Sequence, residues 1–60
     1  MQPVFFAKGI ERAEVNEISH DDKVFFRIAM KAGSDLGYLM FPDFKAAESY
    51  LLQLGYSKTI

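Results

Sequence analysis

The hydrophobic period of this 60-residue chain changes at Pro42. Before it, Val24, Phe26, Ile28 and Met30 alternate with Lys23, Phe25, Arg27, Ala29 and Lys31, the period-two pattern of a strand with one buried face. After it, Phe44, Ala47, Leu51 and Leu54 recur at helical spacing, which makes them the inward stripe of a helix. Asp43 stands at the N-cap of that helix and Gly55 where a left-handed residue would end it, with Tyr56 placed to fold back on Leu51.

Two polar stretches, Ser19 to Asp22 and Ala32 to Asp35, bracket the alternating segment and read as turns,. Upstream, Ala13 and Val15 alternate with Arg12, Glu14 and Asn16, so a strand precedes the first turn, although a helix over Ile10 to Ile18 competes because Glu, Arg and Ala favour it,. Val4 to Ala7 either begins that same strand, bent at Gly9, or forms a separate edge strand,. "LGYLMF" is too short for a helix and stops at Pro42, which makes it a further strand,. Short connections favour antiparallel neighbours. The expected fold is therefore a single α+β domain over residues 1–60: a three-stranded antiparallel meander, four-stranded if Val4 to Ala7 stands alone, in the order β-β-β-α with the C-terminal helix on one face. The tail "SKTI" reads as frayed, or as docking Ile60 on the first strand,.

A domain this small buries only about 60% of the surface its unfolded chain exposes. The chain has no cysteine and one histidine, so disulfides and thiolate or histidine-rich zinc sites are excluded, and association is the remaining source of extra stability. Half of the residues are hydrophobic, which favours a folded domain over disorder. A net charge of -1 gives no long-range attraction to nucleic acid or to an anionic membrane,. No apolar run approaches the ~20 residues of a membrane span, and the start of the chain lacks the pattern of a signal peptide, so the expected compartment is the cytoplasm.

Ser19, His20, Asp21 and Asp22 contain the residue types of a catalytic triad, but neighbours at a turn tip diverge in space, and the stretch reads as a solvated turn. Asp21, Asp22 and Asp35 lack the spacing of a calcium loop, and the four glycines form no phosphate-binding pattern,. The expectation is a protein that is not an enzyme, with no cofactor, no metal and no small-molecule substrate.

One helix covers one side of such a sheet. The covered side takes Ala13, Val15, Val24, Phe26, Ile28 and Met30 with Leu39 and Phe41 from the third strand, and the open side takes Phe25, Arg27, Ala29, Lys31, Tyr38 and Met40. A one-residue slip in the third strand would exchange Tyr38 and Met40 for Leu39 and Phe41. Aromatic and methionine side chains rimmed by Arg and Lys match the composition of interface cores. The open face, Phe25, Arg27, Ala29, Lys31, Tyr38 and Met40, is thus the candidate partner-binding surface, for another protein or for a second copy in a homodimer pairing sheet faces. Leu52, on the outer side of the helix, could join Phe5 or Phe6 as a second contact area.

Lys23, Phe25, Arg27 and Lys31 also combine phosphate-seeking cations with a stacking aromatic on one strand,. A three-stranded sheet backed by a C-terminal helix, with "FPDFKAAESY" at the junction, resembles the AP2-type and phage-integrase arm-binding DNA domains, and that resemblance implies a sheet-based DNA- or RNA-binding module as the alternative function. The chain departs from that group in its acidic balance, with Glu11, Glu14 and Glu17 together upstream. The leading expectation is a small cytoplasmic regulatory or inhibitory protein of the kind found in prokaryotes and phages, acting by stoichiometric protein binding.

Overall fold

The computed structural model describes residues 2–32 and 35–59. Among these residues five strands, β1 (Val4–Lys8), β2 (Glu11–His20), β3 (Lys23–Ala32), β4 (Asp35–Phe41) and β5 (Ser57–Lys58), form one sheet, and one helix, α1 (Phe44–Gln53), precedes the last strand. The spatial order is β4-β3-β2-β1-β5, with every described pairing antiparallel. The fold is α+β with an antiparallel sheet, as expected, and Val4 to Ala7 belongs to a separate strand. Residues 11 to 18 are strand and Ile10 lies in the turn before them, so the stretch is not helical. Their alternation of Ala13 and Val15 with polar groups buries one side of the strand in the core with Ala47 and Leu51 of the helix, which outweighs the modest helix propensity of Glu and Arg.

Turn chemistry sets the register. Asp21 and Asp22 both have positive φ, 51° and 61°, the signature of a two-residue type I′ hairpin turn, whose backbone twist matches the flanking strands. Gly9 supplies a positive φ at the first position of the β1–β2 turn, where Ile10 follows almost fully exposed. Part of the stretch Ala32 to Asp35, expected as the other turn, lies outside the described residues.

The helix starts and stops by hydrogen bonding. The Asp43 carboxylate accepts from the Ala46 N–H at 2.7 Å, satisfying a donor that the first turn leaves free. At the other end Gly55, with φ 95°, donates to the Leu52 carbonyl and Tyr56 donates to the Leu51 carbonyl, both at 3.0 Å, which is a Schellman cap. α1 leaves one edge of the sheet at β4 and must deliver the chain to β5 at the other. Four strand spacings measure about 19 Å, and a ten-residue helix about 15 Å,. The helix spans most of that width, and the residues flanking it, Pro42 and Asp43 before and Leu54 to Tyr56 after, carry the chain over the rest.

Under that crossing lies the core: Phe6, Ala13, Val15, Ile28, Ala47, Leu51 and Tyr56, all buried. Phe26 meets Phe44 edge-on at 6.1 Å between ring centroids, and Phe41 meets Tyr50 at 5.3 Å. Three expectations need correction. Leu54 is not an inward residue but the C-cap, 38% exposed, because the chain turns at Gly55 and Tyr56 takes the inward place. Val24 and Leu39 lie on the helix side yet remain exposed at 46% and 39%. Val24 sits at the hairpin end of the ten-residue strand β3, about 33 Å long and much longer than one helix is wide. Leu39, opposite buried Ile28, is exposed because β4 lies at the sheet edge with no described strand beyond it. The tail is not simply frayed: Ser57 and Lys58 pair with Ala7 and Phe6, and Thr59 donates to the Phe5 carbonyl through both its N–H and its hydroxyl. Ile60 lies outside the described residues.

Candidate functional site

Pairing registers fix the occupants of the open face. Across the sheet, Phe5, Glu14, Ala29 and Tyr38 form one row, Ala7, Arg12, Lys31 and Leu36 the next, and Asn16, Arg27 and Met40 the row on the other side. Phe25 lies further along, opposite Ile18. The expected residues Phe25, Arg27, Ala29, Lys31, Tyr38 and Met40 therefore share one face, and the pairing of Ala29 with Tyr38 settles the strand register in favour of Tyr38 and Met40 on that side,.

The face is not flat. A shallow depression of about 360 Å³ lies over the small side chain of Ala29, lined by Phe5, Arg12, Glu14, Lys31 and Leu36 among others. Phe5, Leu36, Tyr38 and Met40 are each more than half exposed, an apolar group that no described part of the chain covers. Phe5 and Leu36 were missed as members of this face. Alternation supplied the signal, since Phe5 must oppose Phe6 across the strand, and Phe6 is fully buried beneath the helix,. The same alternation rejects the pairing of Leu52 with either phenylalanine as a contact area: Phe6 is in the core, and Phe5 faces away from the helix that carries Leu52.

Arg27 is the most constrained charged group here. Its guanidinium carbon lies 4.9 Å from the centroid of the Tyr38 ring, a cation–π contact between diagonal neighbours on adjacent strands. Its Nε is shielded from solvent and makes no hydrogen bond, a desolvation that costs about 1–3 kcal/mol. Arg12, by contrast, is tied to the β1–β2 turn, donating to the carbonyls of Gly9 at 2.8 Å and Glu11 at 3.0 Å.

Charge is divided between the two faces. Arg12, Lys23, Arg27 and Lys31 all project from the open face, where Glu14 is the acidic residue among them. The remaining acids lie on the helix side, on the helix, at the hairpin tip or at the helix cap. A net charge of -1 thus conceals a basic face, and local potential, not the total, steers a partner.

At the hairpin tip, His20 Nε2 approaches the Asp21 carboxylate at 3.2 Å, with both side chains largely in water. Among the described residues no group of three or more His, Cys, Asp or Glu is placed to hold a metal ion. On the helix side the Tyr56 hydroxyl donates to Glu11 Oε2 at 3.3 Å. Burial, reinforced by the Glu11 charge, pushes the Tyr56 phenol above its ordinary value,. No described helix is long and apolar enough to cross a membrane. No family model, no curated protein and no solved structure matches the chain.

Proposed function

We propose that the chain is a small non-enzymatic binding protein, regulatory or inhibitory in action, that grips another protein stoichiometrically through the open face of its sheet. The observation that supports this most is the depression lined by Ala29, exposed Phe5 and Leu36 and the cations Arg12 and Lys31, with exposed Tyr38 and Met40 on the same sheet face. Large apolar side chains at the centre with basic groups outside suit a partner that offers an apolar knob bordered by carboxylates. Arg27, already stripped of water at Nε, gives up little further hydration when covered.

The test is affinity capture with the native chain and with Tyr38→Ala, Arg27→Glu and Ala29→Arg as baits, the last filling the depression. One protein retained by the native chain and lost by all three variants, with circular dichroism unchanged, is the expected result. Retention by every variant assigns binding to another surface. A second reading, a sheet-based nucleic-acid module, draws on the basic residues Lys23, Arg27 and Lys31 along β3. It requires affinity for mixed DNA or RNA at low salt that falls steeply as salt rises, and absence of retention removes it.

A further inference from the structure

The two edges of the sheet are unlike. β1 is closed by β5 and Thr59, whereas β4 presents seven residues with no described strand beyond it. Its backbone polarity can be assigned. The two-residue turn at Asp21 and Asp22 makes His20 and Lys23 a hydrogen-bonded pair, and alternation then directs the backbone groups of Phe25, Arg27, Ala29 and Lys31 to β2,. Phe26, Ile28 and Met30 bond to Phe41, Leu39 and Gly37 instead. The N–H and C=O groups of Leu36, Tyr38 and Met40 therefore point outward, away from the sheet. None of the usual guards against edge pairing is present: β4 contains no Lys, no internal Pro and one charge, Asp35,.

We infer that the β4 edge pairs with β4 of a second copy, antiparallel about a two-fold axis at Tyr38, to make one continuous sheet. Self-complementarity selects this occupant and this register. With Tyr38 on the axis, Leu36 bonds to Met40 of the second copy and Tyr38 to its own counterpart, so every outward backbone group from Leu36 to Met40 finds a partner. The intervening position pairs Gly37 with Leu39. Both lie on the helix side, where Leu39 is 39% exposed and a Cβ built on Gly37 meets nothing within 4 Å. The leucine of each copy fills the space left by the glycine of the other. An antiparallel match also keeps the two Asp35 carboxylates at opposite ends, whereas a parallel one would set them side by side. The association lies at the rim of the sheet, so it does not depend on the function proposed for the open face, and it doubles that face by joining Tyr38 and Met40 to their counterparts.

The chain lacks cysteine, which permits a direct test of register. Gly37→Cys and Leu39→Cys proteins are prepared separately, mixed in equal amounts and oxidised in a glutathione buffer. Facing residues in a non-hydrogen-bonded antiparallel pair have Cα atoms about 4.5 Å apart, within disulfide range. The mixed disulfide should exceed both homodisulfides well beyond random proportions. Sedimentation equilibrium of the unmodified chain should show a dimer within a series reaching about 1 mM, a dissociation constant worth only about 4 kcal/mol. Random disulfide proportions overturn the edge pairing even if a dimer exists, because the copies then meet elsewhere. A monomer throughout the series overturns it too and leaves the edge for an extended segment of a different protein. Neither result bears on the affinity captures that test the open face.

Discussion

The two faces of the sheet use the same residue types for opposite ends. On the helix side, Phe6, Val15 and Ile28 are fully buried, and large apolar groups there raise stability by leaving water,. On the open side, Phe5 stands beside Phe6 on β1, and Tyr38 of β4 pairs with Ala29, the neighbour of Ile28 on β3, yet both remain more than half exposed. Strand alternation is what separates them, so a single-residue difference in position changes what a substitution should damage.

The contrast is broken most severely from beneath. Phe6→Ala or Leu51→Ala removes a fully buried side chain and should cost about 3–5 kcal/mol, comparable with the whole stability of a domain this size. Urea titration should find these variants largely unfolded, while Phe5→Ala and Tyr38→Ala stay within about 1 kcal/mol of the native chain. If the open-face variants unfold as well, the division of labour between the faces is wrong.

A smaller loss should follow from unseating the helix without touching the core. Asp43→Ala deletes the acceptor for the Ala46 N–H and should destabilise the chain by about 1 kcal/mol, read from the same titrations, with Asp43→Asn or Asp43→Ser restoring most of it. Tyr56 gives the helix side a pH dependence. Its folded-state pKa is raised above the unfolded value near 10,, so the folded chain holds this proton more tightly than the unfolded chain. Its contribution is complete below the unfolded pKa and is lost as pH rises from there through the folded pKa. Thermal melts between pH 8 and 12 should show that decline, and Tyr56→Phe should flatten it. The smallest expected effect is a gain: Asp22→Gly relieves a left-handed non-glycine residue at some cost in chain entropy, for about 0.5 kcal/mol net. Binding through either the open face or the β4 edge should be indifferent to it.

Much of the helix side was legible in sequence because it obeys local periodicities. The alternation of Val24, Phe26, Ile28 and Met30 identifies β3 and its inward side, and Asp43 and Gly55 mark the ends of α1 within a residue or two. What escaped was set by distance along the chain or by the size of the helix. β5 is two residues long, too short for any periodicity, and exists because β1 offers a bonding edge where the helix delivers the chain. The exposure of Val24 depends on how far one helix reaches along a long strand, and that of Leu39 on β4 lying at the sheet edge, neither of which a pattern within the strand encodes. On the open face, all six expected residues share one side of the sheet, but of them only Ala29 and Lys31 line the depression, together with Phe5 and Leu36. A small side chain between large ones becomes a hollow only once the cross-strand register is known.

The bond from Thr59 to Phe5 joins residues 54 apart in sequence, and this has a kinetic consequence. β2, β3 and β4 follow one another through short hairpins and can zip without closing a long loop, whereas β5 finds β1 only after the helix has crossed the sheet. The last strand therefore acts as a latch. Opening it requires no loss of the meander, so amide hydrogens bonded between β1 and β5 should exchange through a local release, and those between β2 and β3 only when the whole domain comes apart.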